Sequence, residues 1–343
     1  MRKLGMAACF LLSMFVLAAA PNQRNRATSG QWMWQTAEPA MLGLNEGAVE
    51  DHQRLCEQTG ADSCLVVYKD KIVTEWYSSK FREPVYAMSS TKSITSLVVG
   101  KLVDEGKISL DDPVHKYIPE WNSGSKRNVT LRHLLNHTSG LSRKTGAASV
   151  GNVSDKNAHV INLPLDKEPG VTFSYSNEAV QLLSPILDKA AGEPVQDYAR
   201  KHLFGPLGMT KTRFKVDAMN HAWTYADMLT TPRDLARIGV LMTHGGKWQG
   251  KRIISEDYIR QATSASQPLS NSCGLLWWLF DQRDSLKGYA ALGYLETDLF
   301  VFPEDRLIVV RTQSPKAGFS GKPEGSEGYR KRALVLFKKM VNK

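Results

Sequence analysis

The sequence predicts a mixed α/β chain of the α+β kind: an antiparallel sheet flanked by helices, with an all-helical lobe inserted into it. Three observations carry this reading. Runs rich in β-branched and aromatic residues occur early, at 64–68 and 71–77, and then only late, at 275–280, 295–302 and 307–312. The long stretch between them has helical periodicity and turn-rich connections. A basic amphipathic helix at 325–342 closes the chain, with Leu334, Leu336, Phe337 and Val341 as its apolar positions. Strands at both ends that pair across a helical block make one sheet domain with an insertion. The expected organisation is a leader at 1–20, an extension at 21–46 and one domain at 47–343, with the helical lobe at about 107–270.

Taken in order, 31–46 is irregular, with Trp32 and Trp34 packing on the main body, and 49–59 is a helix. The first two strands form a hairpin across the turn Lys69-Asp70. Residues 89–106 form a helix whose apolar face carries Leu97, Val98, Leu102 and Val103, ended by Gly106. Asp111-Asp112-Pro113 and Ile118-Pro119 are turn material. Thr130 caps a short helix to Asn136. Residues 142–170 read as an irregular excursion. Further helices are expected at 177–191 (Gly192 ending it despite Pro185), 195–203, 231–245 and 255–263.

The 343 residues are 42% hydrophobic and 23% charged, the balance of a soluble globular protein without low-complexity segments. Arg2 and Lys3 precede an apolar run at 6–20 that closes on Ala18-Ala19-Ala20, the layout of a secretory signal peptide; an uncleaved anchor is the alternative. Cleavage after Ala20 would remove Arg2 and Lys3 and lower the formal charge from +10 to +8. That charge suits work near an anionic envelope, and equally suits a merely solvated basic surface. An exported chain without a clustered basic motif argues against nucleic-acid binding. Export permits a disulfide. Cys9 lies in the leader, and Cys56–Cys64 would close a short loop, leaving Cys273 over. No Cys/His spacing indicates a structural metal.

Chemistry concentrates at Ser89-Ser90-Thr91-Lys92, where an apolar helix begins. Residues three apart on a helix share a face, so Ser89 and Lys92 meet in the first turn. A serine hydroxyl becomes a nucleophile when a neighbouring base takes its proton, and a lysine serves once burial lowers its pKa. The helix N-terminus favours a developing anion. A second element is Tyr175-Ser176-Asn177: the phenol of Tyr175 can relay a proton to and from the reacting groups, and the amide of Asn177 can bond both Lys92 and a substrate carbonyl.

These two elements, in this order, resemble those of the serine β-lactamase and penicillin-binding-protein superfamily, in its class C β-lactamase-like branch. Residues 103–113, 131–141, 206–209, 230–237 and 245–248 are also close to the branch's usual wording, so the resemblance spans roughly 60–340. It implies a serine β-lactamase-like fold and an acyl-enzyme on Ser89, with Lys92 and Tyr175 as the other catalytic residues and no metal or organic cofactor. The branch's third motif, Lys-Thr-Gly or His-x-Gly on a late strand, falls at Ala291-Leu292-Gly293, without a basic residue; Lys144-Thr145-Gly146 matches in letters but not in place. By the resemblance, the N–H groups of Ser89 and Tyr294 form the oxyanion hole, and Gly293 lets substrate approach the strand. The neutral Ala291 is similar to the carboxylesterase and 6-aminohexanoate-dimer hydrolase members. The expectation is an exported serine hydrolase cleaving an ester or amide of a small acyl substrate. A β-lactamase or D,D-peptidase, and a non-catalytic penicillin- or cell-wall-binding protein, are the alternatives. His133, His137, Asp111 and Asp112 read as structural, Trp277-Trp278 as core or pocket lining, and Tyr225 has no assignable place.

Overall fold

The computed structural model describes residues 32–280, 286–315 and 328–342. The leader, Cys9 and residues 21–31 of the extension lie outside the described residues. β1 (Gln35–Thr36), β2 (Ser63–Tyr68), β3 (Lys71–Tyr77), β8 (Trp278–Phe280), β9 (Gly288–Ala291), β10 (Asp298–Phe302) and β11 (Leu307–Thr312) form one sheet in the order β1-β3-β2-β11-β10-β9-β8. Two-residue strands β4 (Val85–Tyr86) with β5 (Leu229–Thr230), and β6 (Lys247–Trp248) with β7 (Lys251–Arg252), make two small ribbons. The early strands do pair with the late ones: β2 runs antiparallel to β11 from Ser63–Thr312 to Tyr68–Leu307. Lys69 and Asp70 both take left-handed φ, 48° and 67°, giving the β2–β3 hairpin the backbone twist a two-residue turn needs.

Side chains alternate across the strands. Val66, Ala290, Phe300, Phe302 and Val309 face a core completed by α1 (Glu46–Gln58) and α10 (Tyr329–Met340), including Leu55, Tyr329, Ala333 and Phe337. The disulfide Cys56–Cys64 ties α1 to β2, and Cys273 is free and buried.

Between the sheet's two halves lie α2 (Thr91–Asp104), α3 (Leu131–Leu135), α4 (Lys156–Asn162), α5 (Asn177–Gln181), α6 (Leu183–Ala191), α7 (Val195–Ala199) with a wider turn at Arg200–Phe204, α8 (Pro232–Thr243) and α9 (Glu256–Ala262). The starts follow the sequence: Thr130, Ser176, Thr231 and Ser255 side chains each accept an N–H of the first turn. Among the described residues no helix is long and apolar enough to cross a membrane.

Four expectations change. The domain boundary moves back from 47, because β1 pairs with β3 and the Asn45 N–H donates to the Met340 carbonyl; Met33–Lys343 form one unit. The helical block is interrupted by α8, which packs on the sheet, where Gly239 lets the helix close on Ile308. The excursion 142–170 contains α4, capped by Asp155. The strands expected at 275–280 and 295–302 begin only at Trp278 and Asp298, because Leu276, Leu295 and Glu296 have φ of 64°, 60° and 56°, outside strand geometry.

Candidate active site

The helix expected from Ser89 is two pieces. A tight turn, Met88–Ser90, carries the serine, and α2 follows from Thr91. Met88 is held at φ 48°, a conformation costly for a non-glycine residue. Its carbonyl accepts from Thr91 Oγ1 at 2.7 Å and from the Asp227 N–H at 3.1 Å, and the Ala87 N–H donates to the Met228 carbonyl at 2.8 Å. This lattice presents Ser89 from a fixed backbone. α2 itself is buried all round from Thr91 to Gly100 rather than on one apolar face. Hydroxyls of the turn and of α2 reach neighbouring segments: Ser90 Oγ donates to the carbonyls of Ala291 (3.1 Å) and Thr297 (2.6 Å), Ser93 to Leu276 and Thr95 to Thr224. Polar side chains inside α2 thus satisfy buried carbonyls of the surrounding loops.

Lys92 is 3% exposed. Its Nζ donates to Ser89 Oγ at 3.1 Å and to the Tyr225 carbonyl at 2.7 Å, and lies 4.8 Å from the centre of the Tyr175 ring. Burial pulls its pKa down from 10.5 to about 7, against the pull of the Glu178 and Asp227 carboxylates. Tyr175 is hydrogen-bonded to Ser89; burial pushes its pKa up and that bond opposes the rise. Ser89, Lys92 and Tyr175 therefore form one cluster, with a basic amine and a protonated phenol both at the serine oxygen.

Around them, the Tyr175 ring stacks on Trp278 at 6.1 Å and meets His137 at 4.7 Å between centroids. Burial, reinforced by the Lys92 charge, holds the His137 pKa at about 3, so the neutral ring accepts the Ser176 N–H through Nδ1 at 3.3 Å. Arg143 Nη1 donates to the Tyr175 carbonyl at 2.8 Å. His133 closes a capping box on Thr130, Asp111 pairs with Arg132, and Asp112 accepts from Ser109 N and Tyr117 Oη, all local structural roles.

Asn177 opens α5, two residues beyond Tyr175. No hydrogen bond joins its amide to Lys92, whose Nζ donates to Ser89 Oγ and the Tyr225 carbonyl. Asn177 Oδ1 is instead a buried acceptor without a partner. Gly293 and Tyr294 lie past the end of β9, in the turn leading to Tyr294–Glu296, not on the strand itself. They still reach the segment that carries Ser89: a Cβ on Gly293 would sit 3.0 Å from the Ala87 carbonyl and 3.1 Å from Met88 Cβ. Ala291 is fully buried at the last position of β9 and pairs with Leu299. Lys144 lies in a loop and Gly146 opens a short helical turn, Gly146–Ala148; neither is on a strand of the sheet.

Tyr225 and Trp278 are the neighbours that sequence reasoning did not place. Tyr225 acts through its carbonyl, which residue identity does not encode. Trp278 had a signal in the Trp277-Trp278 pair, of which Trp277 is core and Trp278 faces Tyr175. As for metals, Asp155, Asp217 and His221 bring ligand-type atoms within 4.8 Å of one another, but Asp217 already accepts the N–H groups of Lys156, Met219 and His221. That group organises its own loop.

The comparisons bear on the fold and the family. Similarity over 129 residues, at 30% identity, links the chain to the candidate penicillin-binding protein PbpX of Bacillus subtilis (strain 168); the match covers 38% of this chain and 32% of that protein, so the chain spans about a third of this relative. The structure is similar to a candidate 6-aminohexanoate-dimer hydrolase from Bacillus anthracis (TM-score 0.71, 20% identity, 83% of this chain and 80% of the other). It is also similar to a D-stereospecific amidohydrolase from Streptomyces sp. (TM-score 0.64, 18% identity, 78% and 93%). At these identities the likeness is one of fold. The family match is broader, running from residue 53 to 322 and including Ser89, Lys92, Tyr175 and Gly293, and by it the chain belongs to the Beta-lactamase family.

Proposed function

We propose that this protein is an exported serine hydrolase that cleaves an ester or amide bond of a small acyl substrate through an acyl-enzyme on Ser89. The observation that carries the reading is the Lys92 amine at 3.1 Å from Ser89 Oγ, buried and with a pKa brought to about 7. An ordinary lysine is charged at neutral pH and cannot accept a proton; this one can.

The electrostatics divide the roles. Lys92 takes the proton of Ser89 as its oxygen attacks the substrate carbonyl. The N–H groups of Ser89 and Tyr294 receive the oxyanion, a contribution of about 3 kcal/mol per donor in comparable sites. Tyr175, whose phenol stays protonated at neutral pH, gives a proton to the leaving group, and the proton on Lys92 balances that loss. Water then attacks the acyl-enzyme by the reverse route. Asn177 Oδ1, buried without a partner, suits a substrate N–H. Export is supported by the leader-like residues 1–20 and by the Cys56–Cys64 disulfide, which suits an oxidising compartment.

The fully buried Ala291 favours a substrate without a carboxylate at that position, hence an ester or amide over a β-lactam. A β-lactamase or D,D-peptidase is the second reading, favoured by the similarity to the candidate penicillin-binding protein. Hydrolysis of a short-chain p-nitrophenyl ester and of a chromogenic cephalosporin, by wild type and Ser89→Ala, decides. Ester turnover lost in the variant, with slow cephalosporin turnover, supports the first reading, and fast cephalosporin turnover the second. Acylation of Ser89 without release would mark a binding protein. Full activity in Ser89→Ala refutes the mechanism.

A further inference from the structure

The two peptides that meet at Gly293 are gripped by an ion pair. Asp298, fully buried at the start of β10, accepts the Gly293 N–H through Oδ1 at 3.0 Å. Arg330, in the first turn of α10, donates through Nη2 to the Gly293 carbonyl at 2.6 Å. The same guanidinium pairs with Asp298 by Nε to Oδ2 and by Nη2 to Oδ1, each at 2.8 Å. One charge pair therefore holds both backbone polar groups of a single glycine. The glycine has no freedom to drift, since a Cβ there would lie 2.5 Å from the Thr297 carbonyl and 3.0 Å from that of Ala87. The following turn is fixed in the same manner, by Arg311 donating to the carbonyls of Leu295 (2.7 Å) and Glu296 (2.9 Å).

A trans peptide is planar, with its C=O and N–H pointing in opposite directions. Whatever fixes the Gly293 oxygen also fixes the direction of the Tyr294 N–H. We propose that the Arg330–Asp298 pair is a positioning device for the oxyanion hole, aiming the Tyr294 N–H and strengthening it as a donor by placing a cation on the carbonyl of the same peptide. Charge-assisted bonds are the stronger ones, and hydrogen-bonded peptides polarise one another. A link that merely docked α10 on the sheet would require the ion pair alone. This proposal rests on the reading that Tyr294 supplies an oxyanion donor.

The test uses the full chain with Arg330→Gln and Arg330→Lys. Stopped-flow acylation is followed with p-nitrophenyl acetate, and the acyl carbonyl is observed by difference infrared spectroscopy with the carbonyl-¹³C-labelled ester. Arg330→Gln should slow acylation roughly ten- to a hundredfold, a part of the effect of losing one donor outright. KM should change less than threefold, and the acyl carbonyl band should move to higher wavenumber as its hydrogen bonds weaken. Arg330→Lys keeps the charge but not the planar fork, and should recover only part of both signals. The half-point of the pH–rate profile, which belongs to Lys92, should stay where it is. A wild-type band position and an acylation rate within threefold in folded Arg330→Gln overturn the proposal; so does activity that merely tracks the folded fraction. If Arg330→Gln does not fold, the band in Arg330→Lys decides by the same criterion. Wild type that is never acylated on Ser89 overturns the parent reading first, and is seen before any Arg330 variant is made.

Discussion

Replacing Lys92 by methionine should stabilise the protein at neutral pH while removing its activity. Burial brings the lysine pKa from 10.5 in the unfolded chain to about 7 in the folded one. Between these values the unfolded state binds more protons, so stability rises with pH across the window from about 7 to 10.5 and is lost as pH falls through it. At pH 7 and below, this side chain alone costs about 5 kcal/mol, at 1.36 kcal/mol per pH unit. Methionine removes that cost and fills a similar volume. It also gives up the bonds to Ser89 and to the Tyr225 carbonyl, an offset of about 2 kcal/mol. The net gain at pH 7 is about 3 kcal/mol. By pH 9.5 the lysine penalty has shrunk to about 1 kcal/mol and the variant's advantage is gone. Urea denaturation of both proteins at pH 7 and 9.5 measures the difference directly, since other titrating groups cancel. A variant no more stable at pH 7, or a difference that is the same at both pH values, would refute the account of Lys92 as a neutralised buried amine.

The same lysine should govern the rate. kcat/KM for a p-nitrophenyl ester should fall tenfold per pH unit below about 7 and level off above it, and Lys92→Arg, always protonated, should stay inactive from pH 5 to 9. Removing the disulfide with Cys56→Ser and Cys64→Ser should cost about 2.5 kcal/mol, the chain-entropy value for so short a loop, read as a lower denaturant midpoint. Gly239→Ala should destabilise by about 1–3 kcal/mol in the same experiment, although alanine is ordinarily the better helix former. Its Cβ would lie 2.5 Å from Ile308 Cγ2 and push α8 off the sheet. A neutral or stabilising outcome would show that the helix shifts freely.

The legible parts of the fold were those written in local chemistry. The β2–β3 hairpin, the capped starts of α3, α8 and α9, and the last strand β11 follow from alternation, Ser/Thr caps and turn residues that act within a few positions. Ser89 and Lys92 were legible because one helical turn joins them. What the sequence left unwritten depends on distant segments. Leu276, Leu295 and Glu296 have ordinary strand-forming or neutral side chains, yet tertiary contacts such as Arg311 on the 295–296 carbonyls hold them in left-handed turns. The start of α2 and the turn before it hide a buried polar face because Ser90, Ser93 and Thr95 bond to loops about 130 to 200 residues away in sequence. Tyr225 enters the site by its carbonyl, which any residue could supply.

The value of the Lys92 pKa reflects a balance between burial and charge. Glu178 is buried near the amine, and Asp227 also raises its pKa. A carboxylate in direct contact would form an ion pair and keep the lysine charged, stable and useless as a base. Instead Glu178 accepts from the Lys144 N–H at 3.4 Å and from Ser176 Oγ at 3.3 Å, and Asp227 pairs with Lys215 at 3.5 Å. Their fields reach Lys92 without capturing it. Burial alone would drive the amine pKa lower still, leaving a base too weak to take a serine proton. The two carboxylates, each engaged elsewhere, hold it near neutrality, where an amine can both accept the proton of Ser89 and give it back.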